Sequence, residues 1–182
     1  MPNSPAWGAG LCEKLIHNRR VDYEGLFSVQ EFFKLIKHYF REKQYDWREY
    51  RNIEMQHANG KYIEIELEPW KTSSDYFRSI IRIRIFMREV QEVEMETKGH
   101  SLLLNRGKIH MTFEAWLQTD KDVPTSGFGT TTVYRFLRIV TDKWMRKSYI
   151  SHAKAMVVFD CEYLINLVQS YLNTQSIHGT AW

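Results

Sequence analysis

From Lys61 to Leu117 apolar and polar residues alternate in runs, and the polar charges change sign from one run to the next. Lys61 to Glu68 sets Ile63, Ile65 and Leu67 on one face and Glu64, Glu66 and Glu68 on the other, the period of a half-buried strand. Ile81 to Arg88 repeats it, with Ile81, Ile83, Ile85 and Met87 facing in and Arg82, Arg84, Phe86 and Arg88 facing out. Val93 and Met95 then alternate with Glu92, Glu94 and Glu96 as a further run. The last run buries Ile109, Met111, Phe113, Ala115 and Leu117 and shows Lys108, His110, Thr112, Glu114 and Trp116. In an antiparallel meander these signs meet across each ladder. A slip of one residue would drive a row of charges into the core, so the register is well specified.

The flanks complete the order of elements. Met1 to Gly10 has two prolines and two glycines and no period, and residues 1–20 are expected to be a tail. Val21 to Phe27 reads as a strand. Ser28 with Glu31 forms a capping box ahead of a helix whose stripe is Val29, Phe32, Phe33, Ile36, Tyr39 and Phe40. Trp47 to Gln56 predicts a second strand, joined by the hairpin dipeptide Asn59-Gly60 to the strand at Lys61. Pro69 to Ser79 reads as a loop, and Gly99 and Asn105 to Gly107 as turns around the short run Leu102 to Leu104.

After a polar linker at 118–129, Thr130 to Thr132 cap an amphipathic helix carrying Val133, Phe136, Leu137, Val140 and Trp144. A break is expected around Ser148 to His152. Val157 to Phe159 reads as a short strand or helix, Asp160 as the cap of a last helix, and 173–182 as a tail. The fold class is therefore α+β: an antiparallel meander of about five to seven strands, an N-terminal helix, and C-terminal helices on one face, in a single domain over 21–172.

This order of elements resembles the helix-grip arrangement of the START and Bet v 1-like proteins. That resemblance implies a curved sheet around a C-terminal helix and an apolar cavity for a small ligand, although a broken C-terminal helix departs from the single long one of those proteins. Tyr23-Glu24-Gly25-Leu26-Phe27 and the style of the strands also resemble archaeal proteins of uncharacterised function.

Composition narrows the classes. Aromatic residues make up 14% of the chain, so the core is expected to be rich in rings. The formal charge of +3 excludes attachment to nucleic acid by bulk charge alone, but it is unevenly placed. Residues 1–127 balance at 19 basic against 19 acidic, and 128–182 carry six against three. Cys12 and Cys161 give no disulfide framework and no C-x-x-C, which fits a reducing cytoplasm. No leader pattern and no membrane-length apolar run is present.

No catalytic signature stands out. His17, His38, His57, His100, His110, His152 and His178 have no metal-ligand spacing, and no cofactor is indicated. The Ser126 to Thr132 stretch lacks the Gly-Lys ending of a phosphate-binding loop, and there is no nucleophile elbow. The glutamate rows read as a solvated, ion-paired face rather than paired acids.

Two candidate binding surfaces remain. One is the sheet face with Arg82, Arg84, Phe86, Arg88 and Trp116, where cations and rings combine. The other is the C-terminal helix with Arg135, Arg138, Lys143, Arg146 and Lys147, followed by Lys154. Together they predict an interaction protein for RNA, a ribonucleoprotein or an acidic protein surface. The alternative is a carrier of a small apolar ligand. A homodimer through an exposed sheet edge is compatible with either.

Overall fold

The computed structural model describes residues 11–73, 76–97, 100–119 and 147–179. Among these residues six strands and two helices follow in the order β1 (Leu11–Phe27), α1 (Val29–Glu42), β2 (Glu49–His57), β3 (Gly60–Leu67), β4 (Trp70–Thr72), β5 (Phe77–Thr97), β6 (His100–Thr119) and α2 (Lys147–Gly179). The strands form one open antiparallel sheet in the order β1-β6-β5-β3-β2, with β4 also paired to β5. Both helices lie on one face. The fold is α+β, as the alternation of the strands and the stripe of α1 predict.

Several differences from the sequence expectation have local causes. β1 starts at Leu11, so 11–20 belong to the sheet and not to a tail. Two register shifts between Lys14 and Arg19, with Asn18 at φ 46°, scramble the period there and hide the strand. Next, the separate runs at Ile81 to Arg88 and Val93 to Met95 are one strand, β5, bent at a bulge between Arg88 and Gln91 where Glu89 has φ 56°. Leu102 to Leu104 likewise merges with Ile109 to Leu117 into β6. Glycines bracket the bend. A Cβ at Gly60 of β3 would lie 2.8 Å from the Glu89 backbone, and one at Gly107 of β6 would lie 3.0 Å from the Arg88 carbonyl oxygen. Gly60 is therefore the first strand residue (φ 128°) of a hairpin that turns at Ala58-Asn59, neither of which has positive φ, in place of the expected type I′ turn on Asn59-Gly60.

Another difference is α2. It runs unbroken through Ser148 to His152 and past Asn173. Asp160 sits mid-helix, where its carboxylate accepts from the Tyr45 hydroxyl (3.1 Å) and pairs with Lys43 (3.3 Å), so tertiary partners replace the expected cap. A short strand, β4, also occupies part of the expected loop at Pro69 to Ser79. It extends the β3 side of β5 beyond Pro69, whose carbonyl accepts from Ile81 N–H. The expected helix at 130–146, most of the linker and Met1 to Gly10 lie outside the described residues.

The core fills the space between sheet and helices. Ser28 caps α1 by accepting from Glu31 N–H (3.3 Å), and Phe32, Ile36, Tyr39 and Phe40 are buried from its stripe. α2 contributes Val157, Cys161, Leu164, Ile165, Val168 and Leu172. These meet the inward rows of β3, β5 and β6, including Leu67, Ile83, Met111 and Phe113. Each such side chain contributes about 1.5–3 kcal/mol on burial. β2 stands clear of this layer: of its nine residues only Ile53 is partly covered.

Candidate partner-binding surfaces

The sheet face opposite the helices carries the expected arginine row, and most of it is committed to neighbours on the same sheet. Register places Arg82 opposite Glu114 and Arg84 opposite Glu66. The Arg82 guanidinium lies 3.2 Å from Glu68, 3.5 Å from Glu66 and 4.0 Å from Glu114, and rests over the Trp116 ring at 4.9 Å. Arg84 reaches Glu114 at 3.1 Å. Lys14 on β1 also pairs with Glu114 and lies 5.0 Å over Trp116. Glu114 is 1% and Trp116 3% exposed, so this end of the face is an internal charge lattice with its ring enclosed. A surface of exposed rings was expected; Trp116 is not one.

The other end of the same face stays open. Phe86 and Arg88 lie with Asp22, Glu24, Lys108 and His110 in a shallow groove of about 530 Å³. Phe86 and His110 stack loosely, 6.3 Å between ring centres. Acids accompany the cations here too: His110 pairs with Asp22 and Lys108 with Glu89 (2.9 Å). The sequence-predicted residues are thus split between a closed lattice (Arg82, Arg84, Trp116) and an open groove of mixed sign (Phe86, Arg88). Arg135, Arg138, Lys143 and Arg146 lie outside the described residues, Lys147 opens α2, and Lys154 is bound to Glu13 across 2.7 Å.

A third surface escaped the sequence reading. On α1, Lys34, Lys37, His38 and Arg41 fall at the three- and four-residue steps of one helix face. Beside them the chain leaves the helix at Lys43, passes Gln44 in a left-handed conformation (φ 59°) and returns with Tyr45 and Trp47 against Phe40, at 5.5 and 6.2 Å between ring centres. The result is an open groove of about 550 Å³ lined by these four basic side chains, Phe40, Tyr45 and Trp47, with no carboxylate among the described residues of its lining. Lys34 pairs with Glu31 and His38 approaches Glu42 at 3.6 Å, both on α1. Lys37 and Arg41 have no carboxylate within ion-pair distance among the described residues, and Trp47 is 37% exposed.

The groove wall is held rigidly from behind. Tyr45 is buried and hydrogen-bonded to Asp160, and the Tyr39 hydroxyl donates to the Asp160 carbonyl at 2.6 Å. Burial, then the Asp160 charge, raise both phenols above their ordinary value, so both stay neutral donors. The Cys161 thiol beside them is pushed up to about 12 by burial, so it stays protonated at neutral pH.

Comparison of the chain with protein-family models, curated proteins and solved structures finds no match. The residues themselves must carry the functional reading. Among the described residues no three His, Cys, Asp or Glu gather in metal-binding proximity, and no helix is long and apolar enough to cross a membrane. The α1 groove offers exposed cations and a partly exposed indole. That chemistry binds anions and flat rings. The signal for it in the sequence was the periodic Lys34, Lys37, His38, Arg41, which looks like any solvated helix face until the turn at Gln44 brings Trp47 beside it.

Proposed function

We propose that this is a non-catalytic interaction protein that binds single-stranded RNA through the α1 groove. The observation that carries the reading is the pairing of Lys37 and Arg41 with the partly exposed Trp47 in one concave site that has no carboxylate among the described residues of its lining. Positive grooves that follow a backbone, with rings on which bases stack, are the general solution for single strands. A duplex would meet the cations but leave the indole unused. An acidic protein surface would likewise need the charge and not the ring.

The test is fluorescence anisotropy with a labelled oligouridylate, a duplex of equal length and a polyglutamate peptide, over a salt series. Binding to the single strand should weaken with salt, and Lys37→Glu with Arg41→Glu should reduce it at least about tenfold. Removing two phosphate contacts should also flatten the salt dependence by about 1.4 in slope. Equal binding by the double variant, or tighter binding of polyglutamate than of RNA, would remove the reading.

The carrier alternative draws support from α2, a single 33-residue helix against the sheet, as in helix-grip proteins. Against it, among the described residues the gap between β4, β5 and α2, lined by Tyr45, Lys71, Phe77, Ser79, Tyr149 and Met156 among others, measures about 200 Å³. Small-molecule sites run from roughly 300 to 1,000 Å³. A stoichiometric apolar molecule retained through purification at high salt would reinstate the carrier.

A further inference from the structure

β2 ends the sheet, and its outer edge has no partner strand among the described residues. Proteins blunt such edges with proline, short length, bulges, charged side chains, lysine above all, or a covering helix. Of these β2 has one register shift, between Glu49 and Arg51, and the charges of Glu49, Arg51 and Glu54. Here the strand is nine residues long with no proline and no lysine, and neither helix covers it. Tyr50 is 60% and Met55 44% exposed, and Ile53 is half-buried in mid-strand.

The strand also complements itself. Residues facing one another across an antiparallel pair lie on the same side of the sheet, so a symmetric pair must have its two-fold axis at a residue. With the axis at Ile53, that side chain meets its own copy, Arg51 faces Met55, and Asn52 faces Glu54 as a donor to a carboxylate. No like charges oppose. With the axis at Glu54, carboxylate would face carboxylate and Arg51 would face His57. With the axis at Asn52, that amide would meet its own copy and Glu54 would lose it as a donor, while Arg51 would face Ile53, as apolar a neighbour as the Met55 it meets in the Ile53 register. We infer that β2 is the interface of a homodimer in which two copies join into one continuous sheet about a two-fold axis at Ile53. The axis stands perpendicular to the sheet, so both α1 grooves open on the same side. The dimer does not depend on what the groove binds.

Sedimentation velocity across a concentration series tests it, together with cysteine variants in a Cys12→Ser background. Ile53→Cys should cross-link to its own copy on mild oxidation, since residues on the axis have Cα atoms about 4.5–5.5 Å apart, within disulfide reach. Glu54→Cys lies roughly 8 Å from its copy in this register and should not. Asn52→Lys would place an ammonium opposite Glu54 at two symmetric positions and tighten the dimer about 2- to 30-fold, while Asn52→Asp would loosen it in the same range. Both residues are exposed, so thermal melts should be unchanged when the protein is monomeric. A monomer at every concentration reached, cross-linking at Glu54→Cys in preference to Ile53→Cys, or identical dimer affinity for the two Asn52 variants would overturn the proposal.

Discussion

The Arg82–Trp116 lattice and the Lys37–Arg41–Trp47 groove are built from the same residue types and put them to opposite uses. In the lattice the Trp116 ring is enclosed and the guanidiniums and the Lys14 ammonium are held by glutamates of the neighbouring strands. In the groove two exposed cations have no carboxylate beside them among the described residues and the indole is partly open. What separates them is the source of the counter-charge. A sheet brings Glu66, Glu68 and Glu114 to the arginines because opposite residues on neighbouring strands share a face. A helix ending in a tight turn brings rings to its cations but no acids. Cation-and-aromatic composition therefore says little about binding until the carboxylates are located.

The largest expected effect comes from unbalancing the lattice. Glu114→Ala would leave Lys14 and Arg84 without their buried carboxylate, and stranding one side of a buried pair costs about 3–5 kcal/mol. The apparent melting temperature should fall sharply while RNA affinity, measured well below it, stays within twofold. A variant that melts normally would show the lattice to be a surface feature after all. Next in size is Tyr45→Phe, which removes a hydrogen bond to a charged, buried acceptor and should cost about 1.5–3 kcal/mol. Because folding raises the Tyr45 phenol above 10.0, the stability it contributes is complete below pH 10 and declines as the pH rises further. Chemical denaturation at pH 8 and pH 11 should show a steeper alkaline loss in the wild type than in Tyr45→Phe.

Much of this was legible before any coordinates. Strand alternation in β3, β5 and β6 predicted both the inward core and the cross-strand ion pairs, since a period of two leaves no other way to bury Ile81, Ile83 and Ile85 together. What failed did so where the period is interrupted. Bulges at Ile16 to Arg19 and at Glu89 shift the phase, so β1 lost its first ten residues and β5 looked like two strands. Asp160 resembled a cap because capping and side-on tertiary bonding draw on the same carboxylate. The enclosure of Trp116 and the exposure of Trp47 had no sequence signal at all. Both follow from which elements meet, at separations such as the 100 residues between Lys14 and Glu114.

The smallest effects discriminate most finely between the two regions. Trp47→Ala should weaken single-stranded RNA binding by about 1–3 kcal/mol if a base stacks on the indole, with little change in the salt slope because no phosphate contact is lost. Arg88→Ala, in the open groove of mixed sign, should change both RNA affinity and stability by no more than about 0.5 kcal/mol, since Asp22 and Glu24 beside it disfavour an anion. The two variants separate ring from charge and one face from the other. If Arg88→Ala costs as much as Trp47→Ala, the sheet face binds as well and the contrast between a neutralised face and an open groove fails. If only Trp47→Ala matters, the absence of carboxylates selects the binding surface, and the number of arginines does not.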